Sequence, residues 1–123
     1  MVTLTLSGFL RAKKPETARS LLQRIEKLTA IDLTTASLEQ VRKGPDLFRF
    51  FVSVEIGSLS FRDAYFEIPA RLAPISGRWS MTAPHPGAPT DRWDFEASTD
   101  RTSIAGVESL SFAVTSTRDA PEG

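Results

Sequence analysis

Cysteine is absent from the 123 residues, and histidine and tyrosine occur once each. Without cysteine there is no disulfide framework, no thiolate metal site and no cysteine nucleophile. That absence agrees with a cytoplasmic location, which is the expectation. No Gly-rich phosphate loop, nucleophile elbow or zinc pattern is present. The residues therefore call for no cofactor, no metal and no catalytic residue, and the reading leans away from an enzyme. No apolar run approaches the length of a membrane span. The opening stretch MVTLTLSGFLRAKK carries its charges after its apolar residues, the reverse of a secretory signal. No membrane partner is expected.

Excess charge of either sign is missing too. Fifteen basic and fifteen acidic residues cancel. Residues 1–46 hold eight basic and five acidic groups, a balance of +3, and residues 47–123 hold seven and ten, a balance of −3. This is not a basic domain, so duplex nucleic-acid binding by counterion release is not favoured.

What is present is alternation. Val2, Leu4, Leu6 and Leu10 alternate with Thr3, Thr5, Ser7 and Phe9, the period of a half-buried strand. Phe48, Phe50, Val52, Val54 and Ile56 repeat the pattern, with Arg49, Phe51, Ser53 and Glu55 on the reverse. Phe66, Ile68, Ala70 and Leu72 are read as a further strand, with Pro69 marking an edge or a bulge because it cannot donate to a ladder. Leu110, Phe112 and Val114 make a last strand, and Val107 is its candidate start.

Between the first two strands the period changes. Pro15 suits a first helical position. Ala18, Leu21, Leu22, Ile25 and Leu28 then recur at helical spacing as far as Thr29. Residues 31–43 fit a short helix capped at Ser37 or a strand. The strand is preferred, because it sets Leu38 opposite Phe50 and Glu39 opposite Arg49.

The stretch from Gly77 to Thr99 reads as a hairpin. Trp79 is expected opposite Phe95 and Met81 opposite Trp93 on one face. Arg78 is expected opposite Glu96 and Thr82 opposite Arg92 on the other. The connecting loop holds Pro84, Pro86 and Pro89 and should be extended and stiff, with His85 displayed at its tip.

The expected fold is α+β: a curved antiparallel sheet of about five to seven strands packed on one amphipathic helix. Leu21, Leu22, Ile25 and Leu28 would be buried against Phe48, Phe50, Val52 and Val54. Residues 1–115 form a single domain, and residues 116–123 form a flexible tail.

Three constellations bear on function. Asp91, Asp94, Glu96 and Asp100 are acidic neighbours, but their spacing matches no calcium loop, and pairing with Arg78 and Arg92 is preferred. Glu55 and Glu67, with Tyr65 between them, would share a face of adjacent strands at the reach of a glycosidase pair. Arg49, Phe51, Arg62, Tyr65 and Arg71, with Phe9, would share the sheet face opposite the helix. Aromatics among arginines mark protein interfaces and also stack single-stranded bases. The candidate binding residues are therefore Arg49, Phe51, Arg62, Tyr65, Arg71 and His85.

The preferred function is a non-enzymatic binding or assembly module. It would act through that aromatic and arginine face and the proline-rich hairpin loop, toward a protein partner or a second copy as a homo-oligomer. A single-stranded nucleic-acid binder is the alternative. A small enzyme or ligand carrier with a pocket inside the curved sheet, and Glu55, Glu67, Tyr65 or His85 at its mouth, is the third reading.

Overall fold

The computed structural model describes residues 2–41, 46–56, 61–82 and 92–117. Six strands form one open antiparallel sheet: β1 (Val2–Arg11), β2 (Ser37–Gln40), β3 (Leu47–Glu55), β4 (Ser80–Thr82), β5 (Arg92–Thr99) and β6 (Val107–Thr117). Their spatial order is β2-β3-β1-β6-β5-β4. The strands nearest the two ends of the chain, β1 and β6, lie side by side at the centre. Two helices, α1 (Pro15–Thr29) and α2 (Phe61–Leu72), complete the α+β fold. They touch each other, with α1 against β1 and α2 against β6.

The alternation read in the sequence decides which face of the sheet is covered. Val2, Leu4, Leu6 and Leu10 of β1 are buried, as are Phe48, Phe50 and Val52 of β3 and Leu110, Phe112 and Val114 of β6. They form one continuous core with Ala18, Leu21, Leu22 and Ile25 of α1 and Ala64, Ile68 and Leu72 of α2. Burying a side chain of this size contributes roughly 1.5–3 kcal/mol. The register of β2 is the expected one, Leu38 opposite Phe50 and Glu39 opposite Arg49.

The α1 helix begins with Pro15 at its first turn and ends where Ala30 turns left-handed, at φ 57°, and donates its N–H to Glu26 O. Its buried stripe corrects one expectation. Leu28 is 46% exposed, and Thr29 takes the inward place. The Thr29 hydroxyl donates to Ile25 O at 2.7 Å and accepts the Ile31 N–H at 3.3 Å. With both bonds made, burying a threonine carries no unmet polar group.

The α2 helix is the larger correction, because residues 66–72 were read as a strand. Ala64, Ile68 and Leu72 are buried at intervals of four, whereas Phe66 is 68% exposed. Ile68 and Leu72 satisfy both periods, and Ala64, Phe66 and the exposed Ala70 separate them. Pro69 lies inside the helix, where it withholds one ladder donor. The sheet therefore carries two helices on its covered face instead of one.

The β4–β5 pair departs in register. Ser80 pairs with Ser98, Met81 with Ala97 and Thr82 with Glu96. The sequence pattern puts Met81 opposite Trp93, whereas its partner, Ala97, lies four residues further along β5. An even displacement leaves every residue on the same face, which is why alternation alone did not reveal it. The expected Arg78–Glu96 pairing goes with it. Trp79 is half-buried, meets the Phe112 ring edge-on at 5.3 Å between centroids, and donates its indole N–H to Leu72 O at 3.3 Å. Phe95 is buried and packs edge-on against Phe112 as well.

The proline loop with His85 and the tail after Thr117 lie outside the described residues. Ser116 and Thr117, assigned to the tail from sequence, still belong to β6.

Candidate functional site

The face of the sheet turned away from both helices is the candidate site. It is assembled by register. Ser37, Phe51, Ser7, Ser111, Ser98 and Ser80 form one line across all six strands, each paired with the next. The next line runs Ser53, Thr5, Ala113, Glu96 and Thr82. On the other side of the serine line stand Glu39, Arg49, Phe9 and Ser109. Hydroxyl side chains thus occupy most positions on a surface that is otherwise free to carry any polar group.

The face divides into two regions. Over β1 and β3, Phe9 and Phe51 stand up at 38% and 46% exposure. They occupy diagonal positions on neighbouring strands, since Phe9 pairs with Arg49 and Phe51 with Ser7. Diagonal aromatics of this kind are within reach of each other, so they form one apolar ridge with Arg49 beside it. Over β6, β5 and β4 the residues are small. A shallow depression of about 450 Å³ lies there, with Thr5, Ser7, Ser111, Ala113 and Ser98 as its floor and Glu96 and Met81 at its side.

Local structure fixes the ridge. Gly8, between Ser7 and Phe9, points inward. A Cβ there would lie 2.3 Å from Ser109 O and 2.9 Å from the Phe50 ring. Only glycine lets β6 approach β1 this closely. The β1–β6 register then slips between Phe9 and Leu10, so that Phe9 pairs with Ser109 but Leu10 with Val107. Glu108, the extra residue, forms an ion pair with Arg11. Such a bulge re-aims the neighbouring side chains, and here it adjoins Phe9.

The buried Ser76 and Thr99 hydroxyls bond to each other at 3.0 Å. Ser76 Oγ also accepts the Arg78 N–H, and Thr99 Oγ1 accepts the Arg101 N–H. This pair anchors the chain where Arg78 and Asp100 are displayed, both exposed.

Of the six candidate residues, Arg49 and Phe51 stand on this face and are exposed. Arg62, Tyr65 and Arg71 belong to α2 and not to the sheet, and Arg71 forms an ion pair with Glu67 at 2.9 Å within that helix. Glu55 on β3 and Glu67 on α2 are consequently not neighbours on adjacent strands. His85 falls outside the described residues. The hydroxyl lines were not anticipated. Their sequence signal is local, since Thr3, Thr5 and Ser7 alternate in β1 and Ser109, Ser111 and Thr115 in β6, but their alignment depends on strand order.

Asp32 alone among the described groups has a resolved shift. The Thr34 hydroxyl and then the Thr34 N–H donate to its carboxylate, lowering its pKa below the ordinary 3.8. It lies in the turn after α1, away from the sheet face. Among the described residues no group of three or more acidic or histidine side chains is placed to hold a metal ion, and no helix is long and apolar enough to cross a membrane. No protein family matches the chain, and neither a curated protein nor a solved structure does.

Proposed function

We propose that the protein is a non-enzymatic binding module whose working surface is the open face of the sheet. One observation supports this above the others: two phenylalanines stand exposed on a face whose other residues are mostly hydroxylated or charged. A solvated sheet face has no use for apolar rings at its middle, because each leaves apolar area in water that burial would stabilise. Aromatic and arginine residues are also the types enriched where protein surfaces dock. Phe9, Phe51 and Arg49 supply both. The proline-rich segment between β4 and β5 joins the proposal through its sequence.

The nucleic-acid reading keeps Phe9, Phe51 and Arg49 but no longer has Arg62, Tyr65 and Arg71 on the same sheet, so a protein partner is the better fit.

The test is a photo-crosslinking amino acid placed at position 51 in cells producing the protein, with position 23 on α1 as the control. The reading expects a discrete adduct from position 51 and none from position 23. Equal labelling at both positions, or none at 51, would reject the sheet face as a working surface.

A further inference from the structure

We infer that the partner of the sheet face is a second copy of this chain, packed sheet to sheet about a two-fold axis lying between β1 and β6. The inference rests on the binding reading above and adds the identity and geometry of the occupant. Isologous docking requires a surface that is complementary to itself. This face is so in shape and in charge.

Shape comes first. The ridge lies over β1 and β3, and the depression runs from β1 across β6 and β5 to β4, so that its β6–β5 part lies across the β1–β6 line from the ridge. A two-fold axis along that line, parallel to the strands, exchanges β1 with β6 and β3 with β5. By register it brings Phe51 of each copy over Ser98 of the other and Phe9 over Ser109. Phe51 thus meets the floor of the depression at Ser98, and Phe9 meets a small residue, Ser109, outside it. Sheets stacked this way sit about 10 Å apart, a gap that large residues facing small ones fill.

Charge runs the same way. The line through Phe9 extends through Arg49 to Glu39 on one side. On the other side the ladders end at Ser80–Ser98 and Thr99–Leu110, and the same alternation carried two residues past Ser98 and Ser80 sets the exposed Asp100 and Arg78 in this line. Read across, the order is Arg78, Asp100, Ser109, Phe9, Arg49, Glu39: plus, minus, neutral, neutral, plus, minus. Reversal by the two-fold gives the opposite sign at each charged place. Arg49 then meets Asp100 of the other copy, and Glu39 meets Arg78. All four are exposed, and none forms an ion pair with another described residue. At the far rim Glu55 comes over the β5 position of Asp94, so the pairing is weakest there.

The area is sufficient. Six strands about 4.8 Å apart, from three residues in β4 to eleven in β6 and roughly 25 Å long on average, present on the order of 700 Å² per copy, near the ~800 Å² per partner of a standard interface. With so many hydroxyls the interface is polar and wet, so association falls in the micromolar range rather than the obligate one.

Sedimentation equilibrium across micromolar concentrations tests the geometry. The unaltered chain is expected to be a reversible dimer. Arg49→Asp and Asp100→Arg, each alone, should weaken it at least about tenfold, and the double substitution should restore it to within about threefold. Failure of the double substitution to restore association, or a strict monomer throughout, overturns the inference. The position-51 crosslink separates this from the parent reading. An adduct of twice the chain mass supports both. An adduct of any other mass, including one with nucleic acid, leaves a working sheet face and rejects the second copy. No adduct rejects both.

Discussion

Phe50 and Phe51 are consecutive residues on one strand, and they face opposite ways into different physics. Phe50 is fully buried, whereas Phe51 is 46% exposed. What holds for the pair holds for the sheet. Its covered face is built from large apolar side chains that fill the space under two helices. Its open face is built mostly from serine and threonine, with a few charged residues and a single aromatic ridge. The comparison teaches that a packed face and an open face are written into the same strands at alternate positions, so the open-face residues of a strand can be altered with little effect on the core.

The sharpest break of that comparison is on the covered side. Phe50→Ala removes a buried ring among Leu6, Leu10 and the helices, and should cost about 3–5 kcal/mol in chemical denaturation. Gly8→Ala lies next in order. Its new Cβ would press on the Ser109 carbonyl and the Phe50 ring, and overpacking of this kind costs about 1–3 kcal/mol. Because Gly8 lets β6 approach β1 next to Phe9, this variant is the one of these covered-side substitutions expected to weaken self-association as well.

Thr99→Val tests the polar joint between the faces. It leaves Ser76 Oγ and the Arg101 N–H without their partner, at a cost of about 1 kcal/mol or somewhat more. A smaller effect comes from Asp32. Its folded pKa is depressed by the Thr34 bonds, so its contribution is in place above pH 3.8 and is lost as the pH falls through the lower folded value. Asp32→Ala should therefore lower stability slightly at neutral pH, with the difference from the parent closing as the pH falls below that point, so that the acid limb of the stability–pH curve is flatter. Phe51→Ala should alter the monomer's stability least, within about 0.5 kcal/mol, while impairing association.

Much of the covered face was legible in the sequence. Strands β1, β3 and β6 declared themselves by strict alternation, α1 by Pro15 and its apolar spacing, and the pairing of β2 with β3 by complementary residues on both faces. The misreadings share one cause: a local pattern compatible with two answers. Ile68 and Leu72 fit a strand and a helix alike, and tertiary packing of Ala64 chose the helix. Alternation along β4 and β5 fits any even register, and the core against Phe112 chose one. Leu28 lost its inward place to Thr29 because the hydroxyl could bond to its own helix. On the open face, Phe9, Phe51 and Arg49 were legible because alternation assigns them a side. The serine line and the charge order were not, because they exist only once β6 and β5 are laid beside β1.

The most direct test of the separation is chemical denaturation of the parent and Phe51→Ala over a range of protein concentrations. When both are dilute their midpoints should coincide. As concentration rises, the parent's midpoint should climb by mass action on the dimer, while that of Phe51→Ala stays level. A midpoint for Phe51→Ala far below the parent's at every concentration would place Phe51 in the fold, and a parent midpoint independent of concentration would contradict the account of the open face as a self-docking surface.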